Sequence, residues 1–278
     1  MRRILVLLIG VWLLCTTAAR AHEFWIEPAS KSRTCIAVPT PVRLMVGDHF
    51  AGEPRARRAD RIVRFQSIGP GSDSRAVAIP GEEGAEPAGL VELKPGTHTL
   101  VYESTATLIT LEAVQFTEYL KHSGLDQIIA DRAARGESGT PGREAYSRCA
   151  KSVVHADGSG TLAPYTDGWS SVAGMPLEIV PLSNPVGLAG TPGSELRVRV
   201  LRNGKPLSGF QMLWMRDSDA QSVRYTKTND SGEAVLSIDG RGFWLISGVH
   251  MERAGGNPES DWRSWWASLT FRCDGENR

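Results

Sequence analysis

Leu196, Val198 and Val200 alternate with Glu195, Arg197 and Arg199, so a strand through this stretch buries one face and wets the other. Asn203-Gly204 follows at once, and both residue types tolerate the positive φ that a two-residue hairpin demands. Phe210, Met212 and Trp214 resume the alternation. Asn229 to Gly232 then makes a second turn before Ala234, Leu236 and Ile238. Further strands are expected over 242–251 and 265–273. Short strands punctuated in this way predict an immunoglobulin-like β-sandwich over 189–278.

The first half also reads as β, with strands expected over 22–26, 42–46, 61–68, 90–93 and 99–102, and an exposed loop rich in Gly, Pro and Glu over 69–89. Phe116, Tyr119 and Leu120, then Leu125, Ile128 and Ile129, recur at helical spacing. Ser123 and Asp126 predict a capping box for the second helix, and Gly136 its end. The expected fold is therefore mostly β: two β-sandwich domains of immunoglobulin-like type, the first carrying a short helical insert at about 114–150. The division falls at the end of a proline-rich tract (Pro176, Pro181, Pro185), giving domains of 22–188 and 189–278.

Residues 1–21 have the layout of a secretory signal. Arg2 and Arg3 precede an apolar run from Ile4 to Leu14 that is too short to span a bilayer, and Ala19 and Ala21 supply the small residues a signal peptidase reads. Cleavage after Ala21 is expected to deliver a periplasmic chain without a transmembrane segment. The 31 basic and 31 acidic residues balance, and the leader removes only Arg2, Arg3 and Arg20 from them. That balance argues against a nucleic-acid partner. Cys35, Cys149 and Cys273 remain. One pair among them is free to form a disulfide in an oxidising compartment, and the sequence leaves open which.

Cleavage at that point makes His22 the first residue. Its α-amine and Nδ1 then close a chelate ring on one metal ion, and the amine pKa of about 7.7–8.0 lets a divalent ion displace its proton near neutral pH. Nitrogen ligands of this kind suit nickel, cobalt or copper. The chain holds only six histidines, and the candidate partners are His250 at a strand end, His49, and Asp48 as an oxygen ligand. His155 and Asp157 form a second pair on one strand face, whereas His98 and His122 read as ordinary turn and helix-surface residues. No nucleophile elbow, phosphate loop, dinucleotide fingerprint or zinc-protease motif is present, so no enzymatic activity is expected. The tryptophans read as core residues, with Trp262 and Trp266 expected to be the most exposed.

Three stretches together resemble a known family. They are His22-Glu-Phe-Trp-Ile-Glu-Pro, then Phe116-x-x-Tyr-Leu-x-x-x-Gly-Leu-Asp with Gly142-Arg-Glu-x-Tyr-Ser-Arg-Cys-Ala-Lys, and a close with Gly242-Phe-Trp-Leu-Ile-x-x-x-His-Met and Trp265-Trp-Ala-Ser-Leu-Thr-Phe. The chain resembles a bacterial periplasmic family of unknown function that is often catalogued with the periplasmic components of nickel and cobalt uptake. The resemblance implies a β-sandwich with a carboxypeptidase-regulatory-like C-terminal domain, binding of a transition metal and a membrane transporter component as partner. It places His22 and His250 inside matching motifs, and His49 in the Gly-Asp-His-Phe stretch. Two other readings stand beside metal handling. One is a structural or protein-interaction module without metal. The other is a histidine-brace copper enzyme, which would need a flat aromatic surface around His22.

Overall fold

The computed structural model describes residues 23–29, 39–79, 82–158, 162–256 and 258–275, with the backbone of 34–35. Along the chain come β1 (Glu23–Pro28), β2 (Thr34–Cys35), β3 (Thr40–Asp48), β4 (Ala51–Arg55), β5 (Ile62–Ile68), β6 (Ser74–Ala76), β7 (Gly89–Val91), β8 (Gly96–Ser104) and β9 (Thr107–Leu111). Two helices follow, α1 (Ala113–His122) and α2 (Asp126–Ala134). The remainder is β10 (Gly142–Asp157), β11 (Leu177–Pro181), β12 (Glu195–Arg202), β13 (Lys205–Pro206), β14 (Gln211–Arg216), β15 (Arg224–Lys227), β16 (Glu233–Ser237), β17 (Gly242–Arg253) and β18 (Trp262–Cys273). The chain is mostly β, with 50% of the described residues in strands and 13% helical, in a sandwich arrangement of sheets.

One ten-stranded sheet runs through the molecule in the order β15-β14-β17-β18-β10-β8-β5-β6, with β2 and β9 also paired to β10. At its centre β10 and β18 run parallel, from Glu144↔Trp262 to Val153↔Phe271. Two smaller sheets cover its two faces. On one face lies the β11-β12-β13 sheet with β16, sharing a core that includes Val198, Leu236, Ile246, Leu269 and Phe271. On the other lie the β1-β3-β4 sheet with β7, and the helices. Strand parity sorts the side chains. On β10, Cys149 and Val153 face the first layer and Ala150 and Val154 the second. On β17, Trp244 and Ile246 face the first, while Leu245 and Met251 face the second.

The large sheet takes strands from both sides of position 188, and β11, which precedes that position, pairs antiparallel with β12, which follows it. The division expected after 188 does not coincide with a break between sheets. The helical insert is shorter than expected: α2 ends at Ala134, and 142–157 is one strand. Residues on both faces of β10 are buried, which erases the polar–apolar alternation that would have marked a strand. The expected capping box also fails. Leu125 occupies the N-cap of α2 with no side-chain cap bond, while Ser123 caps the end of α1 and Gly124 turns the chain at φ 66°. Trp262 is only 1% exposed, packed under α1, contrary to the expectation of exposure. Cys149 and Cys273 are buried free thiols, so they are not the disulfide pair. The side chain of Cys35 lies outside the described residues.

A buried ion pair fastens the β11 layer to the large sheet. Lys151 Nζ of β10 lies 2.5 Å from Glu178 Oε2 of β11, with side chains 1% and 0% exposed. Lys151 also donates to the Ser171 carbonyl at 2.9 Å, and Glu178 accepts from the backbone N–H groups of Ala173 and Gly174 at 2.9 and 3.0 Å. Removing one partner strands the other charge without water. Lys151→Met is therefore expected to destabilise the fold by about 3–5 kcal/mol, and Lys151→Met with Glu178→Gln to recover most of that loss. Urea unfolding midpoints of the three proteins check this. An additive double variant would show that the pair is not coupled.

Candidate functional site

The start of β1 is held by the end of β3. In the antiparallel ladder Glu23 stands opposite Gly47 and Phe24 opposite Val46. Beyond Asp48 the chain reverses through His49 and Phe50 into β4, with Asp48 opposite Ala51. Both turn residues have positive φ, 51° and 60°, as a two-residue hairpin requires. Neither is glycine, so each costs roughly 1–2 kcal/mol in backbone strain. Phe50 offsets that cost by burying its ring, stacked at 5.3 Å on Phe243 and edge-on at 5.1 Å to Trp25. Gly47 is obligatory here, because a Cβ would lie 2.0 Å from the Ala51 carbonyl oxygen.

This hairpin closes over Glu23. The His49 N–H donates to Glu23 Oε2 at 3.1 Å, and the residue is 4% exposed. Burial pushes its carboxyl up to about 7; the charge of Asp48 adds to the rise, while backbone hydrogen bonds at Glu23 and His49 oppose it. A cavity of about 20 Å³ adjoins it, bordered by Glu23, His122 at the end of α1, Gln211, Tyr225 and Ser247. That is room for one water or a bare ion and little more. Burial, and to a smaller degree Glu23, also raises the Tyr225 phenol.

The sequence-derived candidates are only partly brought together. His22 lies outside the described residues, and its peptide bond to Glu23 is what ties it to this place. Asp48 and His49 flank Glu23. His250 does not join them. It shares its face of β17 with Trp244 and Ile246, whereas Ser247 and Val249, which border the Glu23 cavity, point the other way. The His250 ring stacks on Trp265 at 6.2 Å, with Nε2 3.7 Å from Glu252. Burial and the nearby Arg202 guanidinium hold its pKa below the ordinary value.

His155 pairs with Asp157 at 3.6 Å as its spacing suggests, but its ring nitrogens contact Thr97 Oγ1 and the Ala163 carbonyl, a structural arrangement. His98 is buried, with Nε2 2.8 Å from the Lys94 carbonyl, and is not the turn residue expected. Among the described residues no group of three or more His, Cys, Asp or Glu is arranged to hold an ion. Trp25 is 1% exposed and offers no flat surface for a polymeric substrate.

Sequence reasoning missed Glu23 and His122. Adjacency to His22 was the available signal for Glu23. His122 carries none, since a long-range contact places it. Glu23 holds a proton in the fold at pH values where the unfolded chain has lost it. Its contribution is present in full below the ordinary 4.5 and is lost as pH rises through about 7, a fall on the order of 3 kcal/mol. In Glu23→Gln that decline should vanish from the stability–pH profile measured by chemical denaturation. An unchanged slope would show that the carboxyl is not held in its neutral form.

The family described as a domain of unknown function, DUF4198, matches residues 19–252. No curated protein matches the sequence. A solved structure described as a tetra-tandem repeat in the extending region of a large adhesion protein is similar at 10% identity and a TM-score of 0.21. The match covers 92% of this chain and 50% of that one, so the chain spans half that structure's length. The D0-D1 domain of intimin is similar at 12% identity and a TM-score of 0.20, over 90% of this chain and 97% of that one. Likenesses this low bear no functional weight. The family match takes in most of the chain, which therefore belongs to the DUF4198 family.

Proposed function

We propose that this chain is an exported, non-catalytic protein that holds a nickel, cobalt or copper ion at the amino end freed by leader cleavage. The observation that carries the reading is Glu23, a carboxyl buried under the His49 turn at a small cavity, with the charge of Asp48 nearby. It is bonded directly to the one residue able to present an amine and an imidazole together. A dication at this end replaces the proton on Glu23 and answers both carboxylates at once. The His22 amine and Nδ1 supply the nitrogen chelate, and the carboxylates of Glu23 and Asp48 supply oxygen. His122, bordering the same cavity, offers a further imidazole. Without the two nitrogens of His22 the described residues fall short of a site, so capture of the ion depends on correct processing. Delivery to a membrane transporter component is the role that such a carrier would serve.

Calorimetric titration of nickel, cobalt, copper and zinc into protein that begins at His22 tests the reading, against the same protein with one residue added before His22. The extension converts the amine to an amide and should weaken binding at least roughly tenfold. Affinity for the processed form should climb between about pH 6 and 8, as the amine and Glu23 shed protons. Equal affinity of the two forms would remove the chelate, and absence of binding would leave an interaction module.

A further inference from the structure

On the other side of β1 lies a second and larger cavity, of 320 Å³. Successive strand residues point in opposite directions, so while Glu23 borders the small cavity, Phe24 borders this one. The walls divide by chemistry. Phe24, Leu44 and Val46, from β1 and β3, form an apolar side, and Tyr102 and Tyr146, from β8 and β10, add rings with hydroxyls. Four arginines, Arg55, Arg58, Arg61 and Arg148, line it as well, with Ala56, Ser104 and Thr107, and no carboxylate is among the lining residues.

The arginines are not equivalent. Arg58 makes two hydrogen bonds to Asp60, at 3.2 and 2.9 Å, and Arg61 reaches the same carboxylate at 3.6 Å and the Ala106 carbonyl at 3.0 Å. No ion pair engages Arg55 or Arg148 among the described residues. Arg148 is half-buried, its guanidinium 4.5 Å over the Phe24 ring and 5.3 Å from the Tyr146 ring. Its Nη1 is buried and has no hydrogen-bond partner. Desolvation lowers the Arg148 pKa, a hydrogen bond with the Tyr146 side chain opposes the fall and Arg55 adds to it, yet a guanidinium stays charged at any physiological pH. A permanent cation packed against rings, with one buried nitrogen unpartnered and no counter-ion among the described residues, leaves that charge to be answered from the open lumen beside it.

We infer that this cavity binds a small organic carboxylate, its anionic head on Arg148 and Arg55 and an aromatic or branched apolar body between Phe24, Val46 and Tyr102. A planar guanidinium fork matches a carboxylate in two parallel hydrogen bonds. The volume lies at the lower end of small-molecule sites, roughly 300–1,000 Å³, and suits a single ring rather than a nucleotide. Inorganic phosphate shares the head-group chemistry. It would set charged oxygens against Phe24, Leu44 and Val46, which offer no hydrogen bonds. Tyr102, whose hydroxyl is pushed up to about 12 by burial, stays a proton donor at neutral pH. The residues responsible, Tyr146 and Arg148, lie in the Tyr-Ser-Arg stretch of the middle motif, which the metal reading leaves without a role.

Calorimetric titration of benzoate, benzamide and inorganic phosphate into the full chain tests this. Benzoate should bind, with benzamide weaker by roughly 30-fold or more because it lacks the charge, and phosphate weaker than benzoate. Arg148→Met should abolish benzoate binding. Should that variant fail to fold, Arg55→Gln on the exposed rim serves instead, and is expected to weaken benzoate several-fold with an unchanged unfolding midpoint. The inference is overturned by equal binding of benzoate and benzamide, by a preference for phosphate, by benzoate affinity that is unchanged on loss of either arginine, or by no benzoate binding at millimolar concentration.

Discussion

The parallel pairing of β10 with β18 is the constraint on which the rest depends. It joins a strand from the middle of the chain to the last strand over the run from Glu144↔Trp262 to Val153↔Phe271. With β17 antiparallel on the far side of β18, these strands form the middle of a sheet covered on both faces. A parallel pair needs such cover, because its connections leave neither face to solvent. The two smaller sheets and the helix pair supply it. Every site described above is a place where one of those covering layers meets the large sheet.

Two-sided burial also decides what the sequence could reveal. On β12, Leu196, Val198 and Val200 are buried between more exposed neighbours, and that alternation is visible in the residues themselves. The Asn203-Gly204 turn is visible for the same local reason, with φ of 51° and 74°. In β10 and β18 both faces are apolar or internally paired, so no period survives. The sequence therefore mistakes the first residues of β10 for the end of a helical insert. The mostly-β class is legible because it rests on local propensity and turns. The sharing of one sheet is not, because it rests on pairing between residues more than a hundred positions apart.

The candidate site divides in the same way. His22, Asp48 and His49 stand out because of their residue types and positions near strand ends. Register, which no single sequence displays, decides which of them meet. One step of parity along β17 separates His250 from Ser247 and Val249, and so removes the histidine that the motif seemed to offer. Strand register delivers Glu23 and the packing of α1 delivers His122, neither of which had been named as a ligand.

Strand β10 shows what distinguishes a structural charge from a functional one. Lys151 and Arg148 lie three residues apart and point to opposite faces. Lys151 is dry, but Glu178 answers its charge and Ser171 takes a further hydrogen bond, so the pair is complete and serves to fasten two layers. Arg148 is half-buried, its neighbours are two rings, the Tyr146 hydroxyl and another arginine, and one buried nitrogen is left without a partner. Both place charge against the interior of the sheet, so withdrawal from water alone does not mark function. What separates them is satisfaction: a fold that needs a charge only for its own stability provides the partner within the chain. Where it provides a cavity instead, the missing partner arrives from solution.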